Sequence, residues 1–215
     1  MRNLLRHELK LVVHPTNWIF LALSAMLLIP NYPYYVVFFY GCLGFLFTFT
    51  DARENQDLLF LSLLPLGKRD LVKSRFLLVI LFQLAQMLAA VPFALLRQSF
   101  AIPGNAAGMD AGIALFGLAL PMLGLFNRIF LGSFFRQPDK VGTAFLKGCV
   151  GLAVYMALAE TAVFTVPFFR DCLDTPDPEH LGAKLAVLAI GAVLYAILNI
   201  LSYRNCVKTF EKVDL

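Results

Sequence analysis

The sequence predicts an all-α polytopic membrane protein: about six transmembrane helices, an N-terminal interfacial helix and a cytoplasmic helix between the second and third spans. Three observations carry this reading. The 215 residues are 60% hydrophobic and only 15% charged, with a mean hydropathy of +0.75. A soluble domain is about half apolar and about a quarter charged, so this chain has too little polarity to cover a globule in water. Its apolar residues fall into six runs, and its lysines and arginines gather on alternate connections between them.

The runs are Trp18–Ile29, Tyr34–Thr50, Leu71–Leu96, Ile113–Leu131, Val150–Phe168 and Leu185–Tyr203. In lipid an unpaired backbone amide costs several kcal/mol, which leaves only helices or closed barrels. The runs lack the period-2 alternation of barrel strands, so helices are expected. Six spans of about 20 residues occupy over half the chain and leave no room for a soluble catalytic domain. The first run is short, and either extends back past Pro15 or lies tilted. With no internal repeat, linker or low-complexity tract, residues 1–215 read as a single membrane domain.

Ahead of the spans, residues 1–15 place Leu4, Leu5, Leu9 and Val12 or Val13 at helical spacing, with Arg2, Arg6, His7 and Lys10 between them. That pattern predicts an amphipathic helix in the membrane interface, its cations toward anionic lipid headgroups. It lacks the small-residue cleavage site of a signal peptide. The four cysteines form no CxxC pair and read as small buried hydrophobes.

Orientation follows from positive charge, which resists translocation. With the N-terminus inside, 15 of the 18 lysines and arginines fall on the cytoplasmic side, and only Arg97, Arg170 and Lys184 fall outside. The chain is therefore expected in the inner membrane with both ends cytoplasmic. The last outer loop, from Arg170 to Lys184, is acidic and contains prolines.

The connection over residues 51–70 is more than a linker. Asp51 to Asp57 is densely charged, Leu58–Leu64 is apolar, and Pro65–Gly67 breaks the run before a basic stretch from Lys68 to Arg75. An apolar segment between charges predicts a short helix along the membrane surface, followed by a turn. Asp70 is expected at the N-cap of the next span, and Lys73 and Arg75 at the headgroups.

Here the chain resembles the ABC-2-type transporter permeases, the membrane halves of type V ABC exporters. Leu64-Pro65 match the family's Leu-Pro, Lys68-Arg69-Asp70 its basic-acidic cluster, and Leu71-Val72 its aliphatic pair. Arg75-Phe76-Leu77 stand where Lys-Tyr-Leu is usual, and Gly67 replaces a serine. The resemblance implies that this loop carries a coupling helix docked on a separate ATPase subunit. Glu54 through Leu64 would transmit ATP-driven motion to the spans. Arg53, Glu54 and Asp57 would set the register with the partner, and Leu58, Phe60 and Leu61 would supply the buried contact.

No GxxxxGK[ST], HExxH or GxSxG motif occurs. ATP and Mg are therefore expected on the partner subunit, and no cofactor on this chain. The other expected partners are a second permease copy or a homologous permease, and membrane lipid; no nucleic acid is among them. Within the spans, Glu160 is the one acid, and an intramembrane carboxyl points by default to function. Gln83, Gln86, Asn127 and Asn199 join it as candidate pathway residues or as interhelical hydrogen-bonding groups. An exporter of a hydrophobic or amphipathic peptide, drug or lipid is the leading expectation. The alternatives are an intramembrane enzyme using Glu160, which lacks a second catalytic group three or four positions away, and an ATP-independent carrier or channel, which should show inverted repeats or broken helices.

Overall fold

The computed structural model describes residues 13–100 and 105–213, and all regular structure among them is helical. The interfacial helix expected over residues 1–15 falls almost wholly on residues 1–12, outside the described residues. The chain begins with a short helix, α1, over Thr16–Ala22, which tightens into a 3-10 segment over Leu23–Leu28. There follow α2 (Tyr35–Glu54), α3 (Asp57–Ser62), α4 (Lys68–Ser99), α5 (Ile113–Phe134), α6 (Val141–Thr165) and α7 (Leu181–Phe210). A π-helical turn, Phe169–Leu173, links α6 to α7.

Among the described residues, five helices (α2, α4, α5, α6 and α7) are long and apolar enough to cross a membrane, and α1 with its 3-10 continuation is a shorter apolar helix. The sixth expected span is thus the exceptional one. Pro15 caps α1, so the helix does not extend back past it. At about 1.5–2 Å per residue, Thr16–Leu28 falls short of a ~30 Å hydrocarbon layer. The segment instead packs on α2 and α4, and Asn17 fixes it by donating to the Thr48 hydroxyl at 2.7 Å.

The bundle is organised around α5, which packs most extensively on α7 and next on α6. The α5–α7 seam depends on glycine. A Cβ at Gly191 would lie 1.9 Å from the Gly117 carbonyl oxygen, and a Cβ at Gly117 would lie 2.8 Å from the Leu188 amide nitrogen. The two backbones therefore touch, as small residues allow in membranes, where dispersion replaces the hydrophobic effect as the force between helices. Elsewhere α5 packs through aromatic rings. Phe49 of α2 meets Phe130 and Phe134 edge-on at 5.0 and 4.7 Å, and Phe126 stacks on Phe130 at 5.1 Å.

The two ends of the bundle differ in charge. One end gathers the α2–α4 connection, the α5–α6 connection and the end of α7, linked by the Arg53 guanidinium donating to the Asp139 carbonyl and Lys68 Nζ donating to the Val213 carbonyl. This basic end carries Lys68, Arg69, Arg136, Lys140 and Lys208. The opposite, acidic end gathers residues 105–112 and 171–180, including Asp110, Asp171, Asp174, Asp177 and Glu179.

Gly191→Ala should force α5 and α7 apart and lower stability by about 1–3 kcal/mol, the usual cost of overpacking. Gly182→Ala, on the same helix but with open space around its Cβ position, should change little. Reversible unfolding of the two variants in mixed micelles distinguishes them; equal stability would mean the seam tolerates separation.

Candidate functional site

At the basic end α2 runs to Glu54, and Gln56 then adopts a left-handed conformation, φ 50° and ψ 35°, that interrupts the helix before α3. Glu54 therefore closes a span and does not begin the surface helix. Asp57, in the first turn of α3, forms an ion pair with Arg75 of α4. Arg75 is only 1% exposed, and its guanidinium also lies 5.8 Å from the centre of the Phe49 ring on α2. One side chain thus joins α2, α3 and α4. The expectation that Arg75 sits among headgroups is corrected: it is a buried tie. Asp70 is likewise not the N-cap, a place taken by Gly67, but lies in the first turn.

The pair sets which way α3 faces. Leu58 and Leu61 turn into the bundle, while Phe60 is 57% and Leu63 79% exposed. Leu59 and Leu64 are exposed beside them. Arg53 and Glu54 remain at the surface and contact each other at 3.4 Å. A cavity of about 260 Å³ opens between Arg53, Gln56, Leu59, Pro138 and Asp139.

Deeper in the bundle the amides converge. Gln83 of α4 and Asn127 of α5 exchange two hydrogen bonds, each 2.8 Å. The Asn127 amide also donates to Asn199 of α7 at 2.9 Å, and the Tyr195 hydroxyl donates to Gln83 Oε1 at 2.8 Å. All four side chains are buried, and each finds its partner in the others, as a membrane interior requires. Gln86 stands apart and donates to the Val37 carbonyl at 2.7 Å, reaching over Gly41, where any Cβ would collide with it.

Glu160 belongs to a third group. Because α6 ends at Thr165, the residue lies near the acidic end and not midway along a span. Its Oε2 accepts the Met109 N–H at 3.0 Å, and Gly108 leaves the room for that approach. The same end holds two buried cations. Arg97 donates to Asp110 at 3.0 Å and lies over the Tyr34 ring, and Lys184 donates to Asp177 at 2.8 Å and to the Thr175 carbonyl at 2.6 Å. Asp174 accepts the Asp110 N–H at 2.7 Å, and burial holds its carboxyl above the usual range.

A family model described as ABC-2 family transporter protein matches residues 3–211. The chain belongs to this family. No curated protein and no solved structure matches it at a significant level. An ABC-2 protein is the membrane component of a transporter, and the helix count and the surface helix after α2 agree with that assignment.

In this ABC-2 protein the structure brings Gln83, Asn127 and Asn199 into one network but leaves Gln86 and Glu160 in separate places. Sequence reasoning passed over Tyr195 and the Arg75–Asp57 tie. A tyrosine four residues before Asn199 was the available signal for the first, since such a pair shares a helix face. Nothing local signals the second, because its members are 18 residues apart.

Asn127→Ala should strand the amides of Gln83 and Asn199 in an apolar interior. An unsatisfied buried polar group costs about 1–3 kcal/mol, so the variant should unfold at lower denaturant than Gln86→Leu, which frees a single backbone carbonyl. Equal stabilities would show that water or lipid takes the place of the lost partner.

Proposed function

We propose that this ABC-2 protein is the permease subunit of an ATP-driven exporter, with its basic end in the cytoplasm and α3 as the element that docks on a separate ATPase subunit. The single observation that carries this reading is the construction of α3. A 6-residue helix is tied to α4 by a buried ion pair and to α2 by two connecting residues, yet it and the turn after it present Leu59, Phe60, Leu63 and Leu64 outward. A rigid element joined to two spans converts displacement at its surface into tilt of those spans. An exposed apolar patch rimmed by Arg53 and Glu54 has the character of a protein contact.

The docking residues are reassigned accordingly. Phe60 keeps its role, Leu59, Leu63 and Leu64 join it, and Leu58 and Leu61 support α3 from beneath. Asp57 fixes the helix to its own chain, which leaves Arg53 and Glu54 to set the register with the ATPase. The cavity beside Arg53 and Leu59 gives a partner side chain a place to insert. ATP and Mg are held by the partner, and a second permease, identical or homologous, completes the pathway in the inner membrane. The abundance of apolar surface along the spans favours a hydrophobic or amphipathic substrate. Gln83, Asn127 and Asn199 use their hydrogen bonds on one another, which favours a role in holding helices together over contact with cargo, and Glu160 holds the loop at the opposite end.

Two outcomes are expected. In a background with the native cysteines replaced by alanine, a cysteine at Gln137 should be shielded from impermeant reagent in intact cells, and one at Ala107 should react. The reverse pattern would invert the protein and remove α3 from the ATPase side. Separately, Phe60→Asp or Leu63→Asp should leave insertion intact but abolish retention of the ATPase through purification, with at least a tenfold loss of substrate-stimulated ATP hydrolysis. Each places a charge in a contact that excludes water, where an unpaired charge costs several kcal/mol. Leu61→Asp should instead destabilise the permease itself. Normal ATPase retention by both outward-facing variants would make α3 a plain connector.

A further inference from the structure

Six cations of the bundle are ion-paired: Arg53 with Glu54, Arg69 with Glu211, Arg75 with Asp57, Arg97 with Asp110, Arg170 with Asp171 and Lys184 with Asp177. Arg128 on α5 and Arg136 in the turn just after it are not among them, and they share a groove. Arg128 and Arg136 have no carboxylate partner among the described residues, and both line one groove between α5 and α7 with a volume of about 230 Å³. Arg128 is not a terminal residue. It lies six positions before the end of α5 at Phe134, about 9 Å into the helix at 1.5 Å per residue. Arg128 is exposed, and like Lys147 on α6 its long stem carries the charge toward the membrane interface, where an anionic group can meet it.

The groove has the shape and chemistry to supply that anion a seat. Gly132, near the end of α5, lies between the two arginines in the chain and lines the groove with them, and a Cβ built there meets nothing within 4 Å, so the glycine leaves the groove floor open. Ser133 lines one side, with Asn205 and Thr209 of α7 across from it. The Thr209 hydroxyl donates to the Asn205 carbonyl at 2.9 Å, while the Ser133 hydroxyl and the Asn205 amide have no hydrogen-bond partner among the described residues. Two guanidiniums flanking neutral donors match the oxygens of a phosphate, which arginine binds in paired hydrogen bonds.

We infer that this groove is a binding site for the phosphate of an anionic phospholipid, whose headgroup lies between Arg128 and Arg136 and whose chains run along the exposed apolar faces of α6 and α7. Lateral access favours a lipid over a free anion: the groove lies between α5 and α7 at the basic end, with exposed Leu201 and Ile197 one and two turns along α7 from Asn205, and basic recesses between transmembrane helices recognise acidic headgroups in this way. The site is separate from α3 and does not depend on the docking role given to it; only the leaflet that supplies the lipid rests on the proposed orientation.

The test uses the full chain purified in a neutral detergent, with lipid binding followed by native mass spectrometry. Dioleoylphosphatidylglycerol should bind at least tenfold more tightly than dioleoylphosphatidylcholine. Arg128→Gln with Arg136→Gln should abolish that preference. Gly132→Leu, which keeps both charges but fills the floor, should abolish it too, and this variant stands in if the double substitution fails to fold. Lys140→Gln with Lys147→Gln, an equal loss of charge at the start of α6, should leave the preference unchanged. A loss in the α6 variant equal to that of the arginine pair would overturn the site in favour of diffuse surface charge. Unaltered binding by Gly132→Leu would overturn the groove. Displacement of the glycerol lipid by inorganic phosphate at equal concentration would replace the lipid with a small anion.

Discussion

Contact between the backbones of α5 and α7 at Gly117 and Gly191 sets the spacing on which the other interactions of the bundle rest. Membrane helices gain little by hiding apolar side chains from one another, since lipid is as apolar as they are. They must therefore approach closely enough for dispersion and hydrogen bonds to act. Once the glycines bring the axes together, Asn127 and Asn199 come within 2.9 Å, and Gln83 can reach the pair from α4. Each amide then finds a partner on another helix, although Asn199 also donates to the Tyr195 carbonyl of its own helix at 2.9 Å. The same contact holds α7, which is the least buried of the spans. Bulk at either glycine would cost the bundle its polar centre as well as its packing.

At the basic end the organising device is electrostatic. Arg75 is buried beneath α3, where an unpaired guanidinium could not stay, so Asp57 has to remain at its side. Breaking such a pair costs about 3–5 kcal/mol, because the survivor is left charged in a poor solvent. That penalty makes α3 follow α4. The adjoining contacts extend the linkage: Arg69 binds Glu211 at 2.9 Å, which ties the start of α4 to the end of α7. A force applied to Phe60 would therefore be carried to α4 and, through it, to the helix that bears Asn199.

The fold was legible in the sequence because lipid imposes a strong rule: apolar runs of sufficient length become helices, and their number and order follow. What the rule leaves open is phase and end. Leu58 to Leu64 is apolar at nearly every position, so no periodicity marks which leucines face inward, and Leu58 and Leu61 could not be told from Phe60. Helix ends were obscured where charge sits inside a span. Lys147 made residue 150 look like the start of the fifth run, but its long stem lets the ammonium reach the surface while α6 begins at Val141. That shift moves Glu160 from mid-span to the end that it closes. Each candidate amide could be seen as a polar residue in an apolar run, while their convergence depends on the register of three helices and on two glycines that carry no signal of their own.

The distribution of charge between the ends has a physical consequence beyond its count. Lysine and arginine resist passage across the membrane, yet three lie at the end proposed to face outward. Every one of them has an aspartate nearby in the chain: Arg97 pairs with Asp110, Arg170 with Asp171 and Lys184 with Asp177. Each matched pair lies within a single loop or at its edge, so it can form as that loop emerges and present a nearly neutral segment. Two of the cations are then buried, with Lys184 fully enclosed, and serve to brace the loops against α4 and α7. At the basic end Arg53, Arg69 and Arg75 are paired as well, but other cations are not. Lys73, Lys140, Lys147, Arg204 and Lys208 have no carboxylate partner among the described residues and keep their charge available to hold that end in place. The unpaired cations gathered at the basic end are the charges on which any bias against translocation would act most fully.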